Sequence, residues 1–168
     1  MSSRHSSLSP ARAARRRGRV AAALLAACAL LAGCGITIPA DPDGTLESVR
    51  GGELRVGVSP DPGLVRDEGG EPTGPLADLT EQFAESIDAE PEWTFGSEET
   101  LVGMLERGDL DLVIGGLTDQ SPWLDRVGVS RGYPGIDGAD GRSIVMLVPM
   151  GENAFLSELE RFLDEETG

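Results

Sequence analysis

The spacing of apolar and polar residues along the last two thirds of the chain predicts a series of strands and helices. Residues 54–59 alternate between apolar and polar, which is typical of a strand. From residue 76 to about 88, apolar residues recur at helical spacing. Residues 92–95 are predicted as a second strand and residues 110–117 as a third. This alternation of strands and helices indicates an α/β fold with a mainly parallel sheet.

Capping residues and a late apolar run define the remaining elements. Ser97 is a favourable N-cap and Gly108 is favourable just beyond a helix C-terminus, so a second helix is predicted between them. Residues 144–148 are continuously apolar, which indicates a strand buried on both faces. Asn153 is predicted to cap a final amphipathic helix. The pattern as a whole predicts about five strands with helices on both faces.

Residues 1–33 have the composition of a secretory signal peptide. An arginine-rich start precedes the apolar run 20–31, which is too short to span a bilayer, and Leu-Ala-Gly-Cys ends at Cys34. This ending is similar to the bacterial lipobox, in which the cysteine is lipidated and becomes the new N-terminus. The alternative is a core helix followed by an ordinary cysteine, which the flanking arginines suit poorly. We expect a secreted lipoprotein anchored by lipid on Cys34 to the outer face of the cell membrane.

Residues 34–52 are rich in proline and glycine and contain few bulky apolar side chains. This composition predicts a flexible tether between the lipid anchor and the folded domain. The domain itself is then expected to span residues 53–168.

The part of the chain that follows the signal peptide is strongly acidic. All 29 acidic residues lie after Cys34, together with eight arginines and no lysine, which gives residues 34–168 a net charge of −21. Such a surface repels nucleic acid, so nucleic acid is not an expected partner. A solubility or salt adaptation and an acidic binding surface both remain open as its purpose.

Histidine and cysteine are nearly absent after the signal peptide. His5 and Cys28 lie within it, and Cys34 is the predicted lipid attachment site. Ser–His and Cys–His catalysis and zinc sites with His or Cys ligands are therefore excluded for the mature chain. We expect no enzyme activity, no metal and no cofactor.

Four candidate site residues follow predicted parallel strands. Ligands of open α/β sheets bind outside the carboxyl ends of the strands. Ser59 and Asp61 follow the first strand, and Gly116 and Thr118 follow the third. Glycine lets a ligand approach the backbone closely, although the pair Gly115–Gly116 is equally compatible with close helix–sheet packing.

Two further candidates lie in the polar turn after the third strand. Arg126 has the chemistry to bind a carboxylate through two parallel hydrogen bonds, and Trp123 to stack on an apolar or cationic group. The alternatives are that Arg126 pairs with Asp119 or Asp125, or interacts with a helix C-terminus, and that Trp123 covers the edge of the sheet.

Several segments occur in an order that resembles a known family. The segments LRVGVS, TGPLADLTEQFAESI and LVGMLERGDLDLVIGGLT are followed by an element that contains Arg126, Ser130 and Tyr133. This order is similar to that of the bacterial extracellular solute-binding proteins of family 3, the type II periplasmic binding proteins. The resemblance implies a three-layer lobe in which Arg126 holds the α-carboxylate of an amino acid and Thr118 assists. Family members usually space these two residues more closely.

The resemblance covers only the first of the two lobes of that family. Residues 134–142 directly join Tyr133 to a segment that resembles the return into lobe one. The implied function is the substrate-binding component of an ABC-type importer for a small polar solute such as an amino acid, with the solute and a permease as partners. The alternative is a non-transporting interaction or sensory lipoprotein that keeps lobe one without a complete solute site.

Overall fold

A five-stranded mixed sheet forms the centre of the protein. The computed structural model describes residues 41–168. The strand order is β4-β1-β5-β7-β6, where β4, β1 and β5 are parallel and β7 is antiparallel to both of its neighbours. A separate antiparallel pair, β2 and β3, lies outside this sheet. The strands are β1 (Glu53–Ser59), β2 (Arg66–Asp67), β3 (Pro72–Thr73), β4 (Glu90–Phe95), β5 (Leu112–Gly115), β6 (Gly128–Val129) and β7 (Leu147–Val148).

Within residues 41–168, four helices accompany the sheet: α1 (Thr45–Val49), α2 (Pro75–Ser86), α3 (Glu98–Glu106) and α4 (Asn153–Thr167). Ser97 caps α3 as predicted, because its hydroxyl accepts a hydrogen bond from the Thr100 N–H. The predicted cap at Asn153 is wrong. Asp41 accepts from the N–H groups of Ala154 and Phe155, and so caps α4 from more than 100 residues away.

Helices cover both faces of the sheet, as predicted. Leu112 and Ile114 of β5 contribute to a large apolar cluster that includes Phe83 of α2 and Phe155 of α4. Val113, between them, belongs to a second cluster on the opposite face. That cluster includes the buried leucines and valine of α3, namely Leu101, Val102 and Leu105. Successive side chains of a strand point to opposite faces, so β5 is buried on both sides in a three-layer α/β lobe.

The predicted tether needs correction where the structure describes it. Residues 41–52 contain α1, and Thr45 and Val49 are buried. Glu152 accepts hydrogen bonds from the N–H groups of Asp43 and Thr45, which attaches α1 to the start of α4. These residues therefore belong to the folded lobe. Residues 34–40, with Cys34, and the predicted signal peptide lie outside the described residues.

The loop of residues 134–142 packs against the lobe. Ile136 and Ala139 are buried in the larger cluster. A Cβ atom on Gly138 would collide with the carbonyl group of Gly63, so the loop contacts the segment between β1 and β2 at close range. The loop thereby holds Arg142 beside the end of β1. None of the helices within residues 41–168 is both long and apolar enough to cross a membrane.

Candidate functional site

Three parallel strands end at one edge of the sheet, which we call the carboxyl edge. Ser59 at the end of β1 is paired in register with Gly115 at the end of β5, and β4 ends at Phe95 on the other side of β1. The segments that carry Asp61 and Gly116 leave the sheet at this edge. Its position agrees with the general location of ligand sites in open α/β sheets.

An ion pair between Asp61 and Arg142 lies at the carboxyl edge. Arg142 Nη1 donates to Asp61 Oδ2 at 3.0 Å, and Nη2 donates to Oδ1 at 2.8 Å. The side chains are 35% and 25% exposed for Arg142 and Asp61, respectively. The hydrogen bonds that Arg142 donates to the Asp61 carboxylate hold the pKa of Arg142 above its ordinary value. Both charges are thus ordered and accessible from solvent.

The adjacent glycines at the end of β5 satisfy two separate requirements. A Cβ atom on Gly115 would lie 2.6 Å from the Ser59 carbonyl oxygen, so Gly115 permits the close approach of β1 and β5. A Cβ atom on Gly116 would collide with the carboxylate of Asp61. Gly115 therefore serves packing, whereas Gly116 provides the space that the Asp61 carboxylate occupies.

Thr118 lies close to the strand segment that follows Arg142. Its backbone forms a bridge with Ile144, two residues beyond Arg142. Its hydroxyl accepts a hydrogen bond from the Gln120 N–H at 3.4 Å. The carboxyl edge therefore brings together four of the six predicted site residues, Ser59, Asp61, Gly116 and Thr118.

The remaining two predicted residues, Trp123 and Arg126, lie along α3. Trp123 Nε1 donates to Glu98 in the first turn of α3 at 3.1 Å. Arg126 makes two hydrogen bonds, of 2.8 and 2.5 Å, to Glu106 at the last residue of α3. The Arg126 guanidinium also stacks 5.3 Å from the centre of the Trp123 ring.

Arg126 does not reach the carboxyl edge. Helix α3 runs back from the end of β4 toward the start of β5, so Glu106 lies near the opposite, amino edge. The hydrogen bonds between Arg126 and Glu106 raise the pKa of the arginine and lower that of the glutamate. The resemblance implied that Arg126 and Thr118 contact the same solute. This expectation needs correction, because Arg126 lies away from the edge that carries Thr118. The partner of Arg126 is also neither Asp119 nor Asp125.

A cavity of about 700 Å³ opens at the amino edge. Arg126 lines it together with Arg55 and Asp111, which form a two-point ion pair with bonds of 2.9 and 2.5 Å. Asp111 also accepts from the Arg55 N–H, and its side chain is only 3% exposed. These contacts tie the segment that precedes β5 to β1. We interpret the arginines here as structural.

Arg142 is the residue that sequence reasoning missed. It lies two residues before the apolar run 144–148, which is buried as predicted. Because β7 is antiparallel to β5, the segment that enters β7 begins at the carboxyl edge. The sequence pattern does not show in which direction this last strand runs. That direction places the residues before the apolar run beside the candidate site.

This sheet order, with helices on both faces, defines a single lobe of the type II periplasmic-binding-protein fold. The arginine-bound form of domain 1 from TmArgBP has this fold, with a TM-score of 0.58 and 25% identity over 67% of this chain and 92% of that one. An ancestral arginine-binding protein bound to arginine gives a TM-score of 0.57 with 15% identity, over 70% and 93% of the two chains. The Salmonella typhimurium periplasmic binding protein STM4351 gives 0.55 with 14% identity, over 68% and 93%. The last two similarities concern the fold alone.

A match of the sequence to a family profile identifies the family to which the chain belongs. The profile of the bacterial extracellular solute-binding proteins, family 3, matches residues 54–165, which is most of the folded lobe. The chain belongs to this family. No curated protein matches the chain.

Proposed function

We propose that this protein binds a small polar solute, such as an amino acid, at the carboxyl edge and delivers it to an ABC-type importer. The observation that carries this proposal is the Asp61–Arg142 pair, which exposes one anion and one cation at the ligand-binding edge of the fold. Membership of an extracellular solute-binding family supports it. So does the similarity to domain 1 of TmArgBP, which is described as arginine-bound.

A single lobe covers only part of a solute. Small-molecule sites usually bury about 70–90% of the ligand surface, and one sheet edge contacts roughly one side of it. We therefore expect weak binding by the isolated lobe, or a site that a second chain completes. The arginine-bound single domain of TmArgBP supports the idea that one lobe suffices for occupancy.

The same proposal includes attachment to the membrane. The sequence Leu-Ala-Gly-Cys ending at Cys34 predicts lipidation, and lipidation keeps a solute-binding protein near a membrane permease. The folded lobe begins no later than Asp41, since that residue caps α4. At most about 25 Å of extended chain then separates Cys34 from the lobe.

Titration calorimetry with the twenty amino acids tests the binding proposal. We expect at least one amino acid to bind with a dissociation constant below about 1 mM, the weak end of specific affinities. Arg126→Ala is the control. Because Arg126 is bound to Glu106 and lies away from the carboxyl edge, its removal is expected to leave the affinity unchanged. Absence of binding by every amino acid would contradict amino-acid binding by this single lobe.

One observation favours the non-transporting alternative. Asp61 and Arg142 are paired with each other through two hydrogen bonds, so neither charge requires a solute as its partner. Crosslinking in the native membrane separates the two functions. Contacts with a permease support import, whereas contacts confined to other proteins support an interaction or sensory role.

A further inference from the structure

Strand β4 forms one edge of the central sheet, with β1 on one side and, within residues 41–168, no strand on the other. Every residue of β4 is at least partly exposed, whereas four of the seven residues of β1 are buried. An edge strand presents unpaired backbone N–H and C=O groups along its open side. The hydrogen bonds between β4 and β1 determine which residues of β4 present them.

Alternate residues of β4 direct their backbone groups away from the sheet. The N–H groups of Glu90 and Gly96 donate to carbonyl groups in or directly before β1, at 2.8 and 3.1 Å. Backbone groups alternate in direction along a strand, so the even-numbered residues face β1 and Pro91, Trp93 and Phe95 face outward. Among residues 41–168, the backbone groups of Trp93 and Phe95 have no hydrogen-bond partner on this side. The open side of β4 is therefore free to pair with another strand.

Two carboxylates lie along this open side. Glu90 and Glu92 are exposed, and neither forms a salt bridge with another residue that the structure describes. Their side chains share one face of the strand, whereas Trp93 and Phe95 pack on the other face against the larger apolar cluster. In an added antiparallel strand, the residues opposite the two glutamates would be non-hydrogen-bonded pairs, whose side chains lie closest together. Basic side chains at alternate positions would meet both carboxylates.

We propose that β4 accepts an extended, basic segment of a partner protein as an additional strand. The outward groups of Trp93 and Phe95 and the C=O group of Pro91 supply main-chain hydrogen bonds, which give the affinity in this mode of recognition. Glu90 and Glu92 select lysine or arginine at alternate positions of the segment. This surface runs along the side of the sheet, so its role does not depend on solute binding at the carboxyl edge.

A second copy of this chain suits the edge less well than a basic partner does. Residues 34–168 carry a net charge of −21, so two copies repel each other. Pro91 lacks an N–H group, and charged residues and proline on an edge strand discourage pairing between identical edges. The carboxylates that repel a second copy attract a basic segment, so the same residues disfavour one partner and favour the other.

Amide hydrogen exchange of the protein alone tests whether this edge is open. The N–H groups of Glu92 and Thr94 are expected to exchange slowly because they are bonded to β1, whereas those of Trp93 and Phe95 are expected to exchange about tenfold faster or more. Equal protection of all four N–H groups would show that the edge is covered and would overturn the proposal. Protection of Trp93 and Phe95 that rises with protein concentration would assign the edge to a second copy and would also overturn it.

Peptide titration, followed by NMR, tests the chemistry of the partner. The probe is acetyl-Val-Lys-Val-Lys-Val-Thr-amide. One comparison peptide has glutamate in place of lysine, and the other has N-methyl groups on its valines, which removes the N–H groups that would face β4. We expect the probe to slow exchange at Trp93 and Phe95 with a dissociation constant on the order of 1 mM or below. Both comparison peptides are expected to bind at least about tenfold more weakly.

Substitution of the two carboxylates gives an independent readout. Glu90→Gln combined with Glu92→Gln is expected to weaken binding of the lysine peptide roughly two- to thirty-fold, the range for two exposed ion pairs. Glu81→Gln combined with Glu85→Gln is the matched control, because it removes two exposed glutamates of α2 and should leave the affinity unchanged. Failure of the lysine peptide to bind, equal affinity for the N-methylated peptide, or equal effects of the two double variants would each overturn the proposal.

Discussion

Gly115 and Gly116 are adjacent in the chain, but a Cβ atom added at each would meet different groups. The space at Gly115 is limited by the backbone of β1, and the space at Gly116 by the flexible end of the Asp61 side chain. A backbone cannot move away from a new methyl group without disturbing strand pairing, whereas a carboxylate can rotate. The same substitution at the two positions should thus affect stability and binding differently.

We predict that Gly116→Ala weakens solute binding with little loss of stability. The new methyl group displaces Asp61 and separates it from Arg142, and an ion pair that is open to solvent contributes little to folding. Gly115→Ala is the comparison, and is expected to lower the free energy of unfolding by about 1–3 kcal/mol through overpacking. Denaturant unfolding and calorimetry measure the two effects. Unchanged affinity in Gly116→Ala would argue against a site beside Asp61.

For individual residues, the sequence predicts which side chains lie near the ends of strands better than it predicts which side chains pair with each other. It correctly places Asp61 and Gly116 after parallel strands, because the end of an apolar strand is visible in the residue pattern. It does not reveal that Arg126 pairs with Glu106, since many acidic residues lie within reach of any arginine in so acidic a chain. It misses Arg142 because that contact joins residues 81 apart.

Two carboxylates connect the first and last helices of the lobe. Glu152 is almost fully buried and accepts from the N–H groups of Asp43 and Thr45 near the start of α1. Asp41 accepts from Leu46 in α1 and from the first turn of α4. Burial alone would raise the pKa of Glu152, but these backbone N–H groups lower it below the ordinary value.

We predict that Glu152→Gln lowers the free energy of unfolding by about 1–3 kcal/mol at neutral pH, because a hydrogen-bonded buried carboxylate is replaced by an amide. The folded pKa is lowered, so the stabilisation is fully present above the unfolded pKa of about 4.5 and is lost as the pH falls through the folded pKa. The difference between wild type and variant should therefore shrink below about pH 4.5. Denaturant unfolding at several pH values checks this, and a pH-independent difference would contradict it.

The sequence predicts the long elements of the lobe and misses the short ones. Helix α2 and strand β1 have clear periodicity, and their burial agrees with it. Helix α1 has only five residues, and its attachment depends on Glu152 more than 100 residues away. No local pattern records such a contact, so composition alone predicted a flexible tether through residue 52.

The whole molecule combines one solute-binding lobe with a predicted lipid anchor. We predict that Cys34→Ser moves the protein from the membrane fraction to the soluble fraction of cells that process lipoproteins, because the attached acyl chains supply the membrane affinity. Fractionation with detection of an epitope tag at the C-terminus measures the distribution. Equal membrane association of wild type and Cys34→Ser would show that the anchor lies elsewhere.

We propose that the carboxyl edge, rather than the cavity at the amino edge, binds the solute. The most direct measurement is amide chemical-shift mapping by NMR during titration with L-arginine and the other amino acids that bind. We expect the largest shifts at residues 59–61, 115–118 and 139–144. Shifts concentrated at residues 106–111 and 149–150, which line the amino-edge cavity, would contradict it.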